Sequence, residues 1–181
     1  MLQITIRPFE LWDEEKQEFI SYKKAQVLQL EHSLISISKW EQKWHKAFLS
    51  KNDKTYEETI YYIQCMTLTQ NVDPISYYFI SDDDMNRINE YISDSMTATF
   101  FMEDKKPARS SEIVTSELIY YWMIALGIPF ECQKWHLNRL LTLIKVCQIK
   151  NAPPKKRSKR DIMAQNAALN AARRKRLNTK G

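Results

Sequence analysis

Hydrophobic and polar positions repeat with two different periods along this chain, and the change falls near residue 35. Leu2, Ile4 and Ile6 alternate with polar neighbours, which predicts a strand with one buried face. The polar run Asp13 to Glu18 predicts a turn between Leu11 and Trp12 on one side and Phe19 and Ile20 on the other, and Leu28 and Leu30 alternate again. This pattern predicts a small antiparallel meander of three strands over residues 1–34. Three strands bury one face only, so the meander must pack on the rest of the body.

Beyond residue 35 the spacing becomes helical. Ile37, Trp40, Trp44 and Phe48 fall on one helical face. Thr55 with Glu58 three residues later reads as a capping box opening a helix through Ile60, Ile63 and Met66. Asp73 before Pro74 marks a third helix start, and Ser81 with Asp84 a fourth that leads into Met85, Ile88 and Ile92. Thr97 to Met102 and Ser111 to Thr115 have the Thr, Phe, Ile and Val content of a short hairpin. Thr115 or Ser116 caps a helix through Leu118, Ile119, Trp122 and Leu126, which Gly127 ends and Pro129 keeps from resuming. Residues 136–150 form a last core helix with Leu137, Leu140, Leu141, Ile144 and Cys147 at helical spacing. The expected fold is mainly α with a small N-terminal β meander, an α+β arrangement with one helical body over residues 35–150.

Pro153 and Pro154 close that body, because consecutive prolines lack amide donors and hold an extended backbone. Residues 151–181 follow as a proline-led linker and arm, in which Ser158 and Asp161 are placed to cap a final Ala-rich helix. Its apolar stripe is thin, so stable structure is expected on a partner. Charge sharpens the division. The arm holds ten basic side chains against Asp161 alone, a balance of +9, and with +5 for the whole chain the body carries −4. Lys155, Lys156, Arg157, Lys159, Arg160, Arg173, Arg174, Lys175 and Arg176 are therefore the candidate partner-binding residues. Arginines and lysines without interleaved aromatics neutralise phosphates but read little sequence, so a nucleic-acid-binding regulator that uses the basic arm stands as an alternative to docking on an acidic protein surface.

Catalytic and cofactor chemistry finds little support. Glycine occurs only at Gly127 and Gly181, which removes the backbone loops that cradle phosphates. Cys132 and His136 are four apart, the spacing of a metal half-site or thiol and base on one helix, but no second pair completes four ligands, and His32 and His45 read as isolated. Asp82, Asp83 and Asp84 lack the alternation and the glycine of a calcium loop and read as negative charge at a helix N-terminus. The three cysteines are odd in number and read as reduced, buried thiols. The tryptophans fall mostly on helical stripes, as core or protein-interface residues, and one member of each pair Tyr61, Tyr62 and Tyr77, Tyr78 is expected to be exposed. Residues 118–130 are too short to span a membrane, and the N-terminus lacks the pattern of a signal peptide, so export is not expected. The expectation is a non-enzymatic protein that needs no cofactor, metal or small-molecule substrate.

Three stretches resemble a known group. "LEHSLISISKWEQKWHK" from Leu30 to Lys46, "TSELIYYWMIALGIPFECQKWHLNRLLTLIKVC" from Thr115 to Cys147, and the ending "NAALNAARRKRLNTKG" look like proteins encoded among the tail genes of tailed bacteriophages. The resemblance implies a role in phage morphogenesis. As a tail assembly chaperone the protein would act in the host cytoplasm on the tape measure protein or tail tube subunits. As a structural protein of the tail or neck it would stay in the virion, against neighbouring subunits.

Overall fold

The computed structural model describes residues 1–22, 24–50, 53–101, 113–153 and 159–177, without the side chains of Asp13 and of residues 159–162. Its chain divides into two compact units, Met1–Gln148 and Ile149–Gly181. The architecture of the first is mainly α with a small antiparallel sheet at the N-terminus, the α+β class.

Four strands are present, β1 (Leu2–Ile6), β2 (Phe9–Asp13), β3 (Glu18–Tyr22) and β4 (Gln26–Leu30). β1 pairs with β4 and β2 with β3, both antiparallel. The three-stranded meander is thereby corrected: the chain runs out and returns once, as a long hairpin broken in the middle. Two causes are visible. Pro8 has no amide to continue the ladder, and residues 21–26, Ser-Tyr-Lys-Lys-Ala-Gln, hold none of the Gly, Asn or Pro that a second tight reversal requires. Two residues separate β1 from β2 but three separate β3 from β4, so the register shifts by one between Phe9↔Tyr22 and Ile6↔Gln26. The turn at residues 14–17 lies where the polar run places it, with Gln17 in the left-handed region at φ 50°.

The inner ladder turns Ile4, Ile6, Leu28 and Leu30 into the core, all at most 3% exposed. The free edge of β4 is covered by the segment after the second helix, where Leu68 N–H donates to Gln29 O (2.8 Å) and Gln29 N–H to Thr69 Oγ1 (2.9 Å). On the other edge Arg87 donates to Gln3 O at 3.0 Å.

The helices begin where short polar residues can accept the first free amides. α1 (Leu34–Trp44) starts from Ser33 with a capping box to Ser36, and α2 (Tyr56–Met66) from Thr55 with its reciprocal partner Glu58. Asp73 caps a 3-10 helix, Pro74–Phe79, in place of an α-helix. α3 (Asp82–Ser93) starts from Ser81 and α4 (Ser116–Ala125) from Thr115, as their side chains foreshadow. Gly127 at φ 65° closes α4, with Ile128 N–H reaching back to Met123 O at 2.8 Å and Gly127 N–H to Ile124 O at 3.2 Å, the paired bonds of a Schellman ending. A 3-10 helix, Phe130–Lys134, leads into α5 (Leu137–Asn151), and α6 (Lys159–Leu177) lies in the second unit.

Two sequence expectations change. The stripe through Phe48 is not one helix, because α1 ends at Trp44 and His45 adopts a left-handed conformation at φ 51°. Phe48 returns to the same core by a turn, and its amide is taken by the Glu41 carboxylate at 2.8 Å. The proposed hairpin is absent from the described residues 97–101 and 113–115, which form no strand; residues 102–112 lie outside the description.

Glu41 also joins elements. Buried at 8% exposure, it accepts the Ser116 amide at the start of α4 through its second oxygen (2.8 Å), so one carboxylate fixes α1, the turn after it and α4. Trp40, 1% exposed, donates its indole N–H to Glu58 O (2.9 Å) and ties α1 to α2. The start of α5 is tied to the exit of β4, where Leu137 N–H donates to His32 O at 2.7 Å.

Candidate functional site

The predicted partner-binding cations divide into three groups. Arg173, Arg174, Lys175 and Arg176 sit in the final turns of α6 and are all exposed. Lys159 and Arg160 open the same helix. Lys155, Lys156 and Arg157 lie outside the described residues, as do Pro154 and the expected cap Ser158. Along α6 every residue from 163 to 177 is exposed, including Met163, Leu169 and Leu177. At about 100° per residue the four terminal cations point all round the helix, and positive charge at a C-terminus opposes the negative end of the macrodipole. The segment therefore offers a dense cationic end without a continuous apolar face.

Cys132 and His136 do not share a helix. Cys132 lies in the 3-10 turn, and His136 precedes α5 in a bridge with Ser33. His136 Nε2 donates to the Tyr91 carbonyl at 2.9 Å; a carbonyl only accepts, so the neutral ring carries its proton there and leaves Nδ1 a bare acceptor. That Nδ1 is buried with no hydrogen-bond partner, the thiol included. The arrangement supplies no activated nucleophile. All three cysteines are free; Cys132 is buried, while Cys65 and Cys147 are only partly so, against the expectation of full burial. Burial pushes the Cys65 thiol above its ordinary range.

His32 is not isolated, in contrast to its sequence reading. It is 2% exposed, with its ring 4.9 Å from that of His136, and its Nδ1 is hydrogen-bonded to Tyr62 Oη. Burial first, and the neighbouring His136 second, lower its pKa to about 3; burial likewise lowers that of His136. Around the pair, Tyr91 Oη donates to Glu31 (2.6 Å), whose other oxygen meets the N-terminal ammonium at 3.1 Å. Nothing in local spacing signals this cluster, because its members come from the exit of β4, α2, α3 and the start of α5.

Among the described residues no three His, Cys, Asp or Glu side chains gather as metal ligands. Asp82, Asp83 and Asp84 occupy the first turn of α3, with Asp84 paired to Arg87 at 2.7 Å. Tyr77 is buried and Tyr78 exposed, as the splayed pair requires, whereas in the other pair Tyr62 is buried and Tyr61 only half-buried, against the expectation of an exposed ring. Trp40 is in the core, Trp44, Trp122 and Trp135 are half-buried, and Trp12 is exposed against Phe19 near the hairpin turn. No helix among the described residues is long and apolar enough to cross a membrane.

The fold and these sites together define a mainly α, α+β scaffold carrying a separate basic helix. No protein-family model matches the chain, and searches of characterised proteins and solved structures return no significant match.

Proposed function

We propose that this chain is a non-enzymatic binding protein of tailed-phage morphogenesis, a tail assembly chaperone whose basic helix engages the tape measure protein or tail tube subunits in the host cytoplasm. The observation that carries the reading is α6: residues 163–177 are all exposed and end in Arg173, Arg174, Lys175 and Arg176. A helix whose described side chains are exposed gains stability when a partner covers them, and adjacent cations speed and orient that encounter with an acidic surface. The phage role rests on the resemblance of Leu30 to Lys46, Thr115 to Cys147 and the C-terminal stretch to tail-gene proteins. The non-enzymatic reading draws support from His136, whose ring is committed to the Tyr91 carbonyl, and from the burial of Cys132.

Quantitative mass spectrometry of assembling lysate and of purified particles tests the role. Recovery with tail proteins in lysate and loss from finished particles is the expected result; stoichiometric retention in particles identifies a virion component instead. Serine at all four terminal cations should weaken capture of tail proteins at least tenfold. A partner that binds with a steep salt dependence and is displaced by DNA would replace the protein surface with a phosphate backbone.

A further inference from the structure

On the surface between α1 and α2, aromatic rings already hold a cation. Lys43 Nζ lies 4.0 Å from the centroid of the Tyr61 ring and 5.5 Å from that of Trp44, and those two rings meet edge to face at 6.4 Å. The surrounding groove, about 310 Å³, is lined by these three residues with Glu57, Gln64 and Tyr78, over Ile60. Lys43 is exposed and, among the described residues, forms no ion pair; Glu57 forms none either. Its ammonium is thus held by ring faces and not by an acid.

We propose that this groove is a binding site for an arginine side chain of a partner protein, with Lys43 as its resident plug. Three features select a guanidinium. Two aromatic faces and the exposed Tyr78 ring offer flat surfaces on which a planar cation stacks. Glu57 and Gln64 line the same groove and provide a carboxylate and an amide oxygen for its N–H donors. Lys43 is a weak occupant, because an ammonium is strongly hydrated and an exposed lysine on an aromatic face is held only loosely, whereas guanidinium sheds water more readily. Arginine entering from a partner displaces the Lys43 head into solvent at little cost. The site does not depend on the arm's role.

The test uses the intact chain and arginine amide as probe, followed by two-dimensional ¹H–¹³C NMR with the Lys43 signals assigned through Lys43→Ser. The ring faces should shift the Lys43 ε-methylene upfield, and saturating arginine amide should move it to the position of a free lysine. Lys43→Ala should bind the probe about two- to fivefold tighter, the advantage expected on removing one exposed cation–π competitor. Tyr78→Ser, at an exposed side chain, should weaken binding without altering Tm, and Glu57→Gln should weaken it further. If arginine amide leaves the Lys43 signals in place, or Lys43→Ala binds it no better than the parent chain, the proposal fails. Displacement by tetramethylammonium but not by arginine amide would overturn the guanidinium assignment.

Discussion

α5 and α6 are both long helices of the C-terminal part of the chain, yet they are built on opposite principles. α5 has 15 residues and turns Leu137, Leu140 and Ile144 into the core, and its first amide is bonded to His32 O. α6 has 19 residues, more alanine and better intrinsic helix formers, yet no residue from 163 to 177 is buried. Propensity favours α6 and packing favours α5. Packing decides which helix is structural, since most helical stability in proteins comes from tertiary packing and not from propensity, and each buried aliphatic side chain contributes about 1.5–3 kcal/mol. The energetic consequence is that α5 draws its stability from the core, whereas the described side chains of α6 are exposed and add little burial.

The same substitution in the two helices gives the sharpest contrast. Leu140→Ala, at a fully buried position in α5, should destabilise the body by about 2–5 kcal/mol in urea unfolding. Leu169→Ala, at a half-exposed position in α6, should change it by less than about 0.5 kcal/mol. Equal effects would remove the distinction.

Next in size is Glu41→Gln, which should cost about 1–3 kcal/mol. The carboxylate accepts the Phe48 and Ser116 amides, and a glutamine turns a donor toward one of them. An unchanged urea midpoint would mean that the buried carboxylate does not hold α1 and α4 together.

Acid should weaken the body through its buried histidines. His32 has a folded-state pKa of about 3 against about 6.5 in an unfolded chain, so below pH 6.5 the unfolded state binds a proton that the folded state refuses. Stability therefore falls as pH drops from 6.5 towards 3, by about 1.4 kcal/mol per pH unit for this group, and is indifferent to His32 above 6.5. Between pH 6.5 and 5 the loss should approach about 2 kcal/mol, with His136, lowered in the same direction, adding to it. Urea midpoints at the two pH values check this. A flat profile would mean that the pair is not buried neutral.

The smallest effect is the most informative about the arm. A chain ending at Asn151 should melt within about 2 °C of the full chain, since α6 buries nothing from residue 163 onward. A larger fall in Tm would show that residues beyond 151 complete the core.

What the sequence made legible follows the range of the interactions. Helix starts at Thr55, Asp73, Ser81 and Thr115 were readable because a capping side chain bonds an amide two or three residues away. Gly127 was readable because a left-handed ending favours the residue without a side chain. The strand pairing was not, because alternation marks Leu28 and Leu30 as half-buried without saying that they face Leu2 and Ile4. The end of α1 was hidden by its own stripe: Phe48 keeps helical spacing, yet its amide goes to Glu41. His32 looked isolated because its partners, Tyr62 and His136, are brought to it by folding alone. The arm's cations were legible as charge, and the exposure of Arg173, Arg174, Lys175 and Arg176 in α6 comes from structure.

Hydrogen exchange on the intact chain, read by mass spectrometry with and without tail proteins, tests the division of labour most directly. The account predicts that α5 amides around Leu140 and Ile144 exchange only through global unfolding, whereas α6 amides exchange at least about 100-fold faster in the free chain and become protected when the partner is added. Protection of α6 equal to that of α5 in the free chain, or no gain on adding the partner, would contradict it.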